Sequence, residues 1–129
     1  MKIYGIGTDV VNINRIKKSL KNKNFINRIF DSKEVIKCNK QINKANCYAK
    51  RFAAKEAFSK ATGFGISKNL NFRDIEIKNN KKGKPLIYLN KSTLNYLKKK
   101  LNVRSFKVNL SLSDEKIYSI AYVVIEKND

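Results

Sequence analysis

The chain has no histidine, no tryptophan and only two cysteines among its 129 residues. Without histidine, Ser-His and Cys-His catalysis are excluded, and a zinc site is disfavoured because one of its commonest ligands is missing. Cys38 and Cys47 have neither a metal-type nor a redox-type spacing, so both are expected to be reduced and structural. No segment approaches the roughly 18 consecutive apolar residues that a membrane span requires. The N-terminus reads as an apolar strand without the layout of a signal peptide, which makes the cytoplasm the default location. RNP-like, zinc-finger and GXXG signatures are also lacking. Acidic residues are scarce: 10 Asp and Glu stand against 29 Lys and Arg, a formal net charge of +19.

What remains suits one compact unit. A chain of this length with 42% apolar residues can bury a real core, and neither a linker nor an internal repeat divides residues 1–129. The positive field attracts polyanions and accelerates encounter with acidic partners. Nucleic acid, an anionic membrane, an acidic protein and a phosphorylated metabolite all qualify; the plain alternative is a solvated face of lysines from a Lys-, Asn- and Ile-rich composition. Six Tyr and seven Phe could combine with phosphate contacts to bind nucleic acid by stacking, although most of them lie within apolar periodic patterns.

Periodicity outlines the elements. Residues Ile3 to Val11 form a strand pattern, followed by a short amphipathic helix with Ile13, Ile16 and Leu20 on one face and Arg15, Lys17, Lys18 and Lys21 around it. Phe25, Ile26, Ile29 and Phe30 make a second apolar cluster, and Asp31-Ser32 offers an N-cap for a helix from about Lys33. After a polar break from Asn39 to Lys44, a long helix is expected from about Asn46 to Thr62, stopped by Gly63. A hairpin follows, with Ile75-Glu76-Ile77 and Leu86 to Leu89 flanking the loop from Asn79 to Gly83. A helix around Ser92 to Leu101 precedes strands at Phe106 to Leu112 and Tyr118 to Glu126. Strands at both ends with helices grouped between them indicate an α+β domain with a largely antiparallel sheet packed against helices.

Two segments carry the chemistry. In the long helix, Ala49, Ala53, Ala57 and Ala61 recur every fourth position and form a smooth ridge for close packing, while Phe52, Glu56 and Lys60 form the adjacent ridge. That ridge is expected to face inward, and buried Glu or Lys needs a partner or a charged ligand, so it reads as a site; an exposed i, i+4 pair is the competing reading. In the first strand, Gly5 and Gly7 mark a bulge or a close approach, and Asp9 is an acid in a β-prone run, either a strand-end residue or a ligand. Two acids suffice for a magnesium ion, which takes one or two carboxylates and completes its shell with waters and substrate phosphates.

Gly7-Thr8-Asp9-Val10-Val11, Arg15, Arg51-Phe52-Ala53-Ala54-Lys55-Glu56-Ala57-Phe58-Ser59-Lys60, Gly63-Phe64-Gly65-Ile66, Gly83-Lys84-Pro85 and Leu110-Ser111-Leu112-Ser113-Asp114-Glu115 together resemble the bacterial holo-[acyl carrier protein] synthases of the 4'-phosphopantetheinyl transferase superfamily. The resemblance spans essentially the whole chain. Phe52 stands where larger relatives often carry Trp, and the His that some members have near Ser113 and Asp114 is absent, so its role does not carry over. The resemblance implies a 4'-phosphopantetheinyl transferase-like fold and magnesium-dependent transfer of phosphopantetheine from coenzyme A to a serine of apo acyl carrier protein, for fatty acid biosynthesis. It implies metal ligation by Asp9 and Glu56, with Lys60 beside the phosphates as a catalytic or proton-transfer group. Arg51, Lys55, Gly83, Lys84 and Pro85 become candidates for coenzyme contacts, and Arg15 with Lys17, Lys18 and Lys21 for docking the acidic carrier. A homotrimer with the site between subunits is implied too, with no membrane and no specific nucleic acid as partner. A basic nucleic-acid-binding module on the same scaffold is the alternative.

Overall fold

The computed structural model describes residues 1–67 and 69–128. β1 (Lys2–Asn12) leads into α1 (Ile13–Ser19), α2 (Lys23–Ile29), α3 (Ser32–Asn39) and the long α4 (Lys44–Thr62). A 3₁₀ turn (Phe72–Asp74), the hairpin β2 (Glu76–Asn79) and β3 (Pro85–Tyr88), then α5 (Lys91–Leu101), β4 (Ser105–Asp114) and β5 (Tyr118–Asn128) complete the chain. β5 is the centre of an antiparallel sheet in the order β1-β5-β4, and β2 and β3 form a separate antiparallel pair. This is the α+β architecture expected from the sequence. Among the described residues no helix is long and apolar enough to cross a membrane.

Local chemistry sets the helix ends. The side chains of Asn12, Asn22, Asp31, Asn43 and Asn90 each accept a backbone N–H in the first turn of the following helix. Asn43 explains why α4 begins at Lys44, before the expected Asn46: its Oδ1 accepts the Asn46 N–H at 3.1 Å. Gly63 ends α4 in the left-handed conformation at φ 84°, where a side chain would be strained.

The core forms where α4 lies on one face of the sheet. Ala49, Ala53 and Ala57 are fully buried, and so are Ala121, Val123 and Ile125 on the inward side of β5. The alanine ridge meets β1 at its glycines: a Cβ on Gly5 would be driven into the Ala61 carbonyl oxygen, and one on Gly7 into that of Ala57. The β1 register against β5 also shifts between Ile3 and Gly5, a bulge that re-aims the strand.

Two side-chain links lock the α3–α4 corner, and each corrects an expectation. Cys38 and Cys47 form a disulfide rather than remaining reduced. The short turn after α3 folds its last turn onto the first turn of α4, bringing the two Cα atoms to 5.4 Å, within bridging range; linear spacing contains no such information. Lys55 is the second case. Its ammonium is fully buried and donates to Glu34 Oε1 at 2.7 Å, to the Phe72 carbonyl at 2.8 Å and to the Ile75 carbonyl at 2.7 Å. Glu34 Oε2 accepts the Ile77 N–H at 3.0 Å, so one ion pair joins α3, α4, the 3₁₀ turn and β2. Burial lowers the Lys55 pKa, while Glu34 and the more distant Asp31 and Glu76 oppose that shift.

These contacts generate two stability predictions. Gly7→Ala places a methyl against backbone atoms that cannot swing aside, and thermal or urea unfolding should show a loss of about 3 kcal/mol; unchanged stability would mean that β1 does not approach α4 so closely. Lys55→Met leaves Glu34 as an unpaired buried charge and should cost about 3–5 kcal/mol, with much of the loss recovered in the Lys55→Met/Glu34→Gln double variant. Equal stability of the Lys55→Met single variant and the wild type would contradict the buried pair.

Candidate active site

The β1–α4 contact builds a cleft of about 260 Å³ that Asp9, Arg15, Phe25, Phe52 and Glu56 help to line. Asp9 sits in the middle of β1, opposite Ala121 of β5, and is not a strand-end residue. Lys60 Nζ donates to Asp9 Oδ1 at 3.1 Å and to the Thr8 carbonyl at 3.0 Å, tying the last turn of α4 to the strand. Glu56 is half-buried one helical turn earlier. Burial raises its carboxyl pKa, the Asp9 charge raises it further, and Lys60 pulls it back. The expected inward ridge therefore needs correcting: the Lys60 side chain is 54% exposed, and the ridge follows the cleft's rim. The fully buried lysine of α4 is Lys55, one position from Glu56 but on another face of the helix.

Two oxygen donors from separate elements, close enough for one carboxylate to raise the pKa of the other, are a donor set suited to a hard cation. Among the described residues no group of three or more His, Cys, Asp or Glu could hold a metal. Asp9 and Glu56 fit magnesium, which needs no more than a pair of protein carboxylates.

The other candidates divide between two regions. Arg51 is buried, with Nη1 3.3 Å from both the carbonyl oxygen and the Sγ of Cys47, and Nη2 donating to Asn79 Oδ1 at 3.1 Å. It borders a cavity of about 550 Å³ with Lys37, Lys50, Asn79 and Lys81, and its buried Nε has no partner among the described residues. Burial lowers its pKa and Glu34 opposes that shift. Gly83 and Pro85 line an adjoining cavity of about 190 Å³ with Arg51 and Asp114. Lys84 is exposed, and its N–H donates to Asn80 Oδ1 at 2.9 Å in the hairpin turn. Lys55 faces neither cavity and its three donor positions are taken, so it is removed from the coenzyme-contact candidates. On α1, Arg15 faces the carboxylate cleft and Lys18 is exposed, while Lys17 and, in the turn after the helix, Lys21 border an open groove of about 750 Å³ on the other side.

Several participants escaped the sequence reading. Phe25 is one: its ring lies 6.1 Å from that of Phe52, a member of the expected ridge, and together they wall the cleft, but its place in a separate apolar cluster gives no sign of that convergence. Asn46 donates to Asp114 Oδ2 at 2.6 Å and joins α4 to the end of β4. Only their polar character within element termini could have suggested Asn46 and Asn79.

Comparison with known proteins gives these clefts a context. The family model of the 4'-phosphopantetheinyl transferase superfamily matches residues 5–121. A holo-[acyl-carrier-protein] synthase of Pelagibacter ubique is 53% identical over 127 residues, covering 98% of this chain and 99% of that one. The crystal structure of holo-[acyl-carrier-protein] synthase from Neisseria meningitidis is 39% identical, with a TM-score of 0.86 over 97% of this chain and 99% of that one. A holo-(acyl-carrier-protein) synthase from Bacillus anthracis in complex with CoA (3',5'-ADP) is 35% identical, with a TM-score of 0.80 over the full length of both chains. With its fold, its motif order and its near-complete overlap with these proteins in agreement, the chain belongs to the 4'-phosphopantetheinyl transferase superfamily.

Proposed function

We propose that this protein is a holo-[acyl carrier protein] synthase, acting as one domain over residues 1–129. It transfers 4'-phosphopantetheine from coenzyme A to a serine of apo acyl carrier protein. The observation that carries this reading is the convergence of Asp9, Glu56, Lys60 and Arg15 along one cleft edge, in a chain whose relatives bear that name. The carrier's serine oxygen forms a bond to the phosphorus that bears the pantetheine arm. The pyrophosphate P–O bond breaks, and adenosine 3',5'-bisphosphate leaves with the electron pair while the serine gives up its proton. Asp9 and Glu56 would hold magnesium, which supplies charge neutralisation at the pyrophosphate. Lys60, held to Asp9 Oδ1 at 3.1 Å, would lie beside the bound phosphates and offset charge that develops on the leaving group. Arg51, with Gly83 and Pro85, forms a basic recess for the coenzyme's outer phosphates, and the Bacillus anthracis relative was solved with CoA (3',5'-ADP). The Lys84 side chain stands outside it.

Arg15 and the lysines of α1 suit an acidic carrier, since a guanidinium grips a carboxylate at two points and nearby lysines steer the encounter. The outward face of the sheet supports self-association: Val10 pairs with Ile120 and Thr8 with Tyr122, and Ile6, Val10, Ile120 and Tyr122 are all exposed. The resemblance supplies the threefold order and a site between subunits. Cytoplasmic location accords with the same activity.

Incubation with apo acyl carrier protein, coenzyme A and magnesium should add the mass of the phosphopantetheine arm to the carrier. Failure with several carriers, together with salt-sensitive binding to a mixed-sequence oligonucleotide, would favour the nucleic-acid-binding reading. Asp9→Asn and Glu56→Gln remove one hard anionic ligand at nearly constant volume and should each lower transfer at least about 100-fold while the fold survives; near-normal transfer at limiting magnesium would remove that residue from the metal site. Arg15→Glu sets like charges across the interface and should raise the carrier's KM about tenfold with coenzyme affinity unchanged. Equal carrier affinity for this variant and the wild type would sink the docking assignment.

A further inference from the structure

We infer that the Cys38–Cys47 bond is an exchangeable disulfide whose Cys47 sulfur accepts anionic low-molecular-mass thiols in the basic cavity beside Arg51. The two sulfurs are not equivalent. Cys38 is fully buried, whereas Cys47 is 7% exposed and lines the cavity of about 550 Å³. That cavity is bordered by Lys37, Lys50, Arg51 and Lys81 and by no carboxylate among the described residues. A field of this sign concentrates thiols that carry negative groups and directs them to the one sulfur within reach. A disulfide in a reducing compartment is usually transient and redox-active rather than a permanent staple, and cytoplasmic location belongs to the function proposed above.

Arg51 supplies the chemical asymmetry. Its Nη1 lies 3.3 Å from Cys47 Sγ, so a thiolate formed at Cys47 has a guanidinium beside it, while the Cys38 sulfur has none described. A neighbouring cation stabilises a thiolate, so Arg51 favours the release of Cys47 in the second step, whereas access directs the first attack, because Cys38 is the fully buried sulfur. Exchange then runs in two balanced steps. The small thiolate attacks Cys47 Sγ, the S–S bond breaks, and Cys38 departs as a thiolate that takes a proton. A second small thiol attacks the small-molecule sulfur of the mixed disulfide, releasing Cys47 as a thiolate against Arg51 and leaving the small molecule as its own disulfide. Overall, one protein disulfide and two thiols become one protein dithiol and one small-molecule disulfide.

The intermediate adduct occupies the cavity that adjoins, across Arg51, the recess that the proposed function gives to the coenzyme's outer phosphates. This consequence and the expectation of a reducing compartment rest on that reading, whereas the access and the charge around Cys47 do not.

The test uses the full chain with its bond closed, opened by glutathione, which is anionic, or by cysteamine, which is cationic, at equal thiolate concentration. Opening is followed by alkylating the released thiols and weighing the protein. Glutathione should act at least about tenfold faster at low salt, an advantage that falls as salt rises, and the trapped adduct should map to Cys47. Cys38→Ser should take one glutathione from oxidised glutathione, and Cys47→Ser none; if either variant fails to fold, adduct mapping in the wild type decides alone. Equal rates for the two thiols, an adduct on Cys38, or a bond that neither opens nor re-forms under glutathione buffers would overturn the inference. Adenosine 3',5'-bisphosphate should slow the glutathione reaction; exchange on Cys47 without such protection would leave the exchange site standing and remove the coenzyme from the adjoining recess.

Discussion

The close packing of the bare backbone at Gly5 and Gly7 against the Ala57–Ala61 stretch of α4 is the constraint on which the rest of the structure depends. Alanines every fourth residue leave the helix smooth, and glycines remove the obstacle on the strand, so the two main chains approach more closely than side chains normally permit. Asp9 lies two residues beyond Gly7 on β1, and Glu56 and Lys60 flank Ala57 on α4, so the same contact brings all three polar groups to one edge. Widening it by one methyl on the strand would separate the carboxylates as well as weaken the core.

Charge is handled differently on the two sides of α4. On the cleft side Glu56 stays half-buried and has its pKa raised, an arrangement with spare negative charge that a cation can neutralise. On the opposite side Lys55 and Glu34 are fully paired, with every described bond directed into the protein. Adjacent residues of one motif thus divide into a cleft-facing acid and a fold-holding base. Arg51 is intermediate: it is buried and anchored through two nitrogens, but its Nε lacks a partner among the described residues and it borders a cavity ringed with lysines. Unsatisfied donor capacity at a cavity wall is what an anion-binding recess requires.

The elements themselves were legible because their signals are local. The α4 stripe, the Asp31 cap, Gly63 as the stop and the alternation of β4 each depend on residues close together in sequence. Asp9 and Glu56 were legible as candidates for a related reason, since an acid in a strand and an acid beside an alanine ridge both break the local pattern. What the sequence could not express was direction around a helix relative to neighbours not yet placed. Lys55 and Lys60 differ by five positions, and only the arrival of α3 and β2 decides that the first is enclosed while the second reaches Asp9 at the rim. The Cys38–Cys47 bond follows the same logic, because a helix–turn–helix closure joins two sulfurs whose linear spacing carries no redox signature.

The central claim is that one strand and one helix converge to form a two-carboxylate cation site. Crystals grown with manganese in place of magnesium and with adenosine 3',5'-bisphosphate present test it directly, since manganese is located by its anomalous scattering. The account predicts one strong peak in the β1–α4 cleft bonded to oxygens of both Asp9 and Glu56. A peak bonded to neither residue, or to only one of them with the other turned away, would contradict it.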